Sequence, residues 1–171
     1  MMTKNNRLAL PVKPSIIAVI GAMIISTGAL SIPLSIANAQ KSDTEMGTIA
    51  SIQNGKDGKP TWVTSGAWDF KNMNSNSPTF NATFNMFMLN GSAAHKHTIT
   101  DFKINGNPTK NNNATTYNGT ATVSLKTGPA MGVPISIKLM GNSAISIWVD
   151  PSKTESHFGN TPIYGAQHRI T

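Results

Sequence analysis

A period of two dominates the chain. Over residues 117–125 the odd positions Tyr117, Gly119, Ala121, Val123 and Leu125 are apolar or small, whereas Thr116, Asn118, Thr120, Thr122, Ser124 and Lys126 are polar. Successive side chains of an extended strand point to opposite faces, so this pattern describes a strand with one face turned inward. The same alternation runs through Phe80, Ala82, Phe84, Met86 and Met88, through Ile135, Ile137 and Leu139, and through Ile145, Ile147 and Val149. None of these stretches carries apolar residues at i, i+3, i+4 and i+7, the spacing an amphipathic helix requires.

The connections fit hairpins. Asn54-Gly55, Asn90-Gly91 and Asn105-Gly106 each follow an apolar stretch, and Asn-Gly supplies the positive φ angles of a tight turn. Gly141-Asn142 separates two of the alternating runs, while Asn118-Gly119 falls inside one, where it signals a bulge or bend. Residues 108–113 and 127–132 read as polar loops. The expected fold is all-β: an antiparallel β-sandwich or barrel of seven to nine short strands within residues 40–150. Residues 151–171 hold Gly159, Pro162 and Gly165 and read as an irregular C-terminal segment packing on the domain, at most with a closing edge strand.

The first 39 residues obey different rules. Lys4, Arg7 and Lys13 precede an apolar run over residues 16–36, which ends at Ala37-Asn38-Ala39. A basic start, an apolar stretch and a small-x-small site together describe a secretory signal peptide cut after Ala39. The alternative is an uncleaved membrane anchor, since residues 16–36 match the roughly 20 residues that span a bilayer. Gly21, Gly28 and Pro33 weigh against a stable span. Either way the remainder is expected outside the cell, secreted or, if the segment stays uncleaved, held on the outer face of the membrane through residues 16–36 alone.

Export changes the reading of charge. The chain carries 14 Lys+Arg against 7 Asp+Glu, but three of the basic residues lie in the export segment. What remains is diffuse lysine and the single Arg169, without the clustered Arg and interleaved aromatics of a nucleic-acid surface. The absence of cysteine excludes disulfides, thiolate metal sites, iron–sulfur clusters and blue copper.

The most informative chemistry is His95-Lys96-His97. Residues i and i+2 of a strand share a face about 6.5–7 Å apart, from which two imidazoles can converge on one ion. His157 and His168 lie in the C-terminal segment, where they are candidates to complete the site. Histidine without cysteine points to zinc or copper(II) as the metal. Asp101 is expected on the same face, but two strand steps from His97 and beyond direct ligation. Met86 and Met88 fall on an apolar face and are expected in the core. Asp69 and Asp101 are expected to cap strands or hold turns. No G-x-S-x-G, H-E-x-x-H, Walker A or G-x-G-x-x-G motif occurs, and nothing in the spacing of the seven acids points to a glycosidase-like pair. Sequons begin at Asn81, Asn90, Asn113 and Asn118, on expected strand faces or loops where a glycan can be carried.

Gly66-Ala67-Trp68-Asp69-Phe70, Phe84-Asn85-Met86-Phe87-Met88, Gly91 and His95-Lys96-His97-Thr98-Ile99-Thr100-Asp101-Phe102 resemble small secreted proteins of ammonia-oxidising archaea, over residues 46–104. The resemblance implies export and a habitat rather than a mechanism. It favours copper, because such organisms make heavy extracellular use of that metal. The H-x-H pair is also similar to that of zinc and copper β-proteins such as carbonic anhydrase and superoxide dismutase. Only two residues match there, and no catalytic role is carried over.

Three functions follow as expectations. The first is an exported, non-catalytic domain that binds a surface partner such as an envelope protein or a glycan. The second is an extracellular zinc- or copper-binding protein built on His95 and His97, with His157 or His168 completing the site. The third is a metal-assisted hydrolase or redox enzyme on the same residues.

Overall fold

The computed structural model describes residues 43–168, and the expected signal segment lies outside them. Nine strands follow one another: β1 (Thr44–Asn54), β2 (Pro60–Lys71), β3 (Thr79–Met88), β4 (His95–Ile104), β5 (Thr109–Asn111), β6 (Ala114–Leu125), β7 (Gly128–Met140), β8 (Ala144–Val149) and β9 (Ile163–His168). A single 3₁₀ turn, Pro151–Lys153, follows β8. All strand pairs are antiparallel. The order β4-β3-β2-β1-β9-β8-β7-β6 closes on itself through β4–β6, making an eight-stranded barrel with β5 attached to the edge of β6. Of the two architectures expected, the barrel is the one formed. Among the described residues closure leaves no long free strand edge, and so no extended template for pairing with other chains.

The period-two pattern decides what fills the barrel. Phe80, Ala82, Phe84 and Met86 of β3 point inward and are buried, as do Ile135, Ile137 and Leu139 of β7 and Ile145, Ile147 and Val149 of β8. Met86 lies in the core as expected, while Met88 at the strand end is only half-buried. An eight-stranded barrel is just wide enough for side chains to fill, so this is a packed core. Each fully buried Phe or Ile contributes about 1.5–3 kcal/mol of transfer free energy.

The register shifts at three places, once at Gln53/Asn54 beside the β1–β2 turn and twice as bulges within the barrel wall. On β4, Thr100 pairs with Thr122 and Lys103 with Thr120, so three steps on one strand face two on the other. Asp101 takes up the extra residue at φ 55°. The expected alternation therefore fails there: Asp101 turns outward and Phe102 turns in, so Asp101 does not share the histidine face. Asn118-Gly119 is not itself bulged. Gly119 lies opposite this bulge, and a β-carbon there would stand 2.5 Å from Phe102 Cε2, so the glycine makes room for the inserted ring.

The second bulge corrects the expected loop at residues 127–132. Ala121 pairs with Val133 and Val123 with Ala130, with Gly132 at φ 64° between them, so β7 runs through this segment. The Asn-Gly turns are longer than two-residue hairpins. Gly91 and Gly106 adopt positive φ, whereas Asn54-Gly55 opens a loop whose positive φ falls on Gly58. The C-terminal segment contributes more than an edge: β9 pairs with both β1 and β8 and is a full stave of the barrel.

Candidate metal centre

The first residues of β4 carry the site. His95 lies opposite Met86 and His97 opposite Phe84, both on β3. The two-residue spacing puts both histidines on the inner face at one end of the barrel, as the sequence requires. His97 is only 2% exposed. His157 arrives from the segment between the 3₁₀ turn and β9.

That segment is firmly tethered. Asp150 Oδ1 accepts from the Ser152 backbone N–H and hydroxyl, at 2.9 and 2.8 Å. The buried Thr154 hydroxyl donates to the Asp150 carbonyl. Further on, the fully buried Gln53 donates to Ser51 Oγ and the Pro162 carbonyl, and accepts from the Thr161 hydroxyl. Between these anchors Glu155 and Ser156 both sit in the left-handed region, at φ 52° and 58°. Non-glycine residues hold that conformation only where surrounding structure over-determines it. Its effect here is to deliver His157 against His95 and His97.

Three ring nitrogens converge. His157 Nε2 stands 3.1 Å from His95 Nε2 and 3.0 Å from His97 Nε2. One ligand atom from each ring lies within 4.8 Å of the others. The opposite ring edges are fixed. His95 Nδ1 is 2.6 Å from the Ala93 carbonyl and His97 Nδ1 is 2.7 Å from the Ser124 carbonyl. A carbonyl only accepts, so in each neutral ring Nδ1 carries the proton and Nε2 a lone pair. Ala93 is itself left-handed, at φ 55°, just ahead of the strand. A backbone carbonyl behind each ligating imidazole, setting its tautomer and aim, is the usual outer support of a histidine metal site.

Protons alone do not satisfy this arrangement. His95 and His97 both present lone pairs to His157 Nε2, and that atom carries at most one proton. One cation at the centre satisfies all three. Two nitrogens about 2.0–2.1 Å from one ion stand roughly 3–3.5 Å apart, the range of the two contacts to His157. The three ligand atoms together span up to 4.8 Å, so the His95 and His97 rings must draw closer for one ion to touch all three.

The electrostatics favour neutral ligands. Burial holds the His97 ring well below the usual histidine range, at about 4; the hydrogen bond to Ser124 opposes this, and proximity to His157 and His95 reinforces it. Burial also lowers His157, with His95 adding to the effect and Glu155 opposing it. Neutral imidazole is the metal-binding form, so both rings are ready ligands at neutral pH.

An aromatic wall surrounds the centre. Phe158 meets His97 edge-on with ring centroids 4.9 Å apart, Phe84 lies 5.7 Å from His97, and Trp62 meets His95 edge-on at 5.4 Å. Of the four histidines named from the sequence, the barrel brings together His95, His97 and His157. His168 stays out: it lies exposed at the end of β9, paired opposite Met46 near the start of β1, away from the end where His157 sits. Sequence reasoning missed Trp62, Phe158 and the two carbonyls. The one local signal that could have pointed to any of them is the adjacency of Phe158 to His157.

The chain matches no known protein family, no curated protein and no solved structure. The site is therefore read from its own geometry.

Proposed function

We propose that this chain is a metal-binding β-barrel protein whose centre is formed by His95, His97 and His157, with zinc or copper(II) as the ion. The observation that carries the reading is the convergence of the His95 and His97 Nε2 atoms at 3.1 and 3.0 Å on His157 Nε2, both of them held as lone-pair donors by backbone carbonyls. All-nitrogen ligation by neutral imidazoles suits these two borderline ions better than magnesium or calcium, which prefer oxygen. Export through residues 1–39 remains part of this proposal, and a surface-partner function is the second reading, since the described residues hold one convergent set of metal-ligating side chains. The test is calorimetric titration of the full-length protein with Zn(II) and Cu(II). One ion per chain is expected, with binding lost in the His95→Ala/His97→Ala double variant. An isotherm unchanged by the double substitution would remove the proposal.

A further inference from the structure

Three histidines leave the coordination shell of such an ion incomplete. Zinc sites closed by protein have four ligands, and sites with three keep a position for an exogenous molecule. Every histidine, aspartate and glutamate of the sequence lies within residues 43–168, and among the described residues the group stops at three.

The direction of the open position is set by what surrounds the rings. His97 is sealed by Phe84, Phe158 and the Ser124 carbonyl. His95 and His157 are only half-buried. On their side lies a cleft of about 520 Å³, bordered by His157 and by Trp62, the ring that meets His95 edge-on. Its other walls carry Asn54, Lys56, Glu155 and Asn160. Lys56 and Glu155 offset one another in formal charge. The three ligands are neutral, so the ion's own double positive charge dominates the cleft.

Resting on the three-histidine reading, we propose that the cleft admits a small anion to the fourth coordination position, with Lys56 as its cationic neighbour. The ligand class is a compact anion with one donor atom for the metal and a polar remainder for the asparagine amides, such as a carboxylate or bicarbonate. The indole of Trp62 forms an apolar edge that limits its size.

Azide is a suitable probe, because its binding to copper(II) produces a charge-transfer band. The full-length protein loaded with one copper(II) per chain is titrated with azide and followed by absorption and electron paramagnetic resonance. A saturable new band with an altered copper signal is expected. Lys56→Glu should weaken azide roughly fivefold, through loss of one positive and gain of one negative charge near the ion, with copper stoichiometry unchanged. Spectra indifferent to azide while copper stays bound would overturn this inference and leave the metal site standing. Equal azide affinity in Lys56→Glu would overturn the route through the cleft. Failure of copper to bind at all would overturn both readings.

Discussion

Two clusters of aromatic rings occupy opposite ends of one barrel. At one end Phe70 meets Phe80, Phe102 and Tyr117 with ring centroids 5.4, 6.0 and 4.7 Å apart. At the other, His95, His97 and His157 meet at 4.8–5.2 Å. The spacing and the edge-on tendency are alike, but the centres differ. Hydrocarbon edges meet ring faces in the first cluster, an arrangement that is favourable by itself. In the second, nitrogen faces nitrogen, and two of the three nitrogens are locked as lone-pair donors. The phenylalanine cluster is built from three strands of regular ladder and one bulge. The histidine cluster requires left-handed backbone at Ala93, Glu155 and Ser156. One end of the barrel is organised to stabilise the fold, and the other is held in shape by the fold.

The contrast can be broken at its stronger side first. Phe70→Ala should cost about 3–5 kcal/mol in urea denaturation, by lost transfer energy and the cavity left behind. The cost should be the same with and without zinc; a zinc-dependent cost would mean the two ends are energetically coupled. On the other side, zinc at a hundredfold excess over its dissociation constant should add about 2.7 kcal/mol to stability. That gain should vanish in His95→Ala, and a persistent gain would place the ion elsewhere.

A pH series sharpens the same comparison in the metal-free protein. Burial holds folded His97 at about 4, against about 6.5 in the unfolded chain. Between these values the unfolded state takes a proton that the folded state refuses. Stability from this residue is therefore intact above pH 6.5 and is lost as pH falls toward 4, by about 3 kcal/mol in all. His97→Gln should flatten the profile of urea midpoints across that window. Protons compete with zinc for the folded His97 nitrogen only as pH nears 4, so the loss of zinc affinity due to this ligand should come at the acid end of the window. The smallest expected effect is that of His168→Ala: zinc affinity unchanged, and stability within about 0.5 kcal/mol of the wild type.

The fold was legible where burial is governed by backbone period. The alternation on β3, β6, β7 and β8 follows from the pleat, and closure into a barrel satisfies the same pattern. Bulges were not legible. Asp101 looks like the next member of the His95, His97 and Ile99 face, and only the extra residue in β4 turns it outward. Likewise Gly128-Pro129 reads as a loop, yet it continues a strand whose bulge falls at Gly132. For the site, His95 and His97 were legible because two residues suffice to define a strand face. The choice between His157 and His168 was not. It depends on strained backbone at residues 155 and 156 and on the buried amide of Gln53, a tertiary arrangement with no local sequence signal.

The central claim is that three imidazoles share one ion. X-ray absorption on zinc-loaded full-length protein reads this directly. The expected shell holds three imidazole nitrogens at about 2.0–2.1 Å, with the multiple scattering typical of histidine rings, and one further oxygen or nitrogen donor. His157→Ala should remove one imidazole from that shell. A shell of oxygen donors without imidazole scattering, or one indifferent to His157→Ala, would contradict the account.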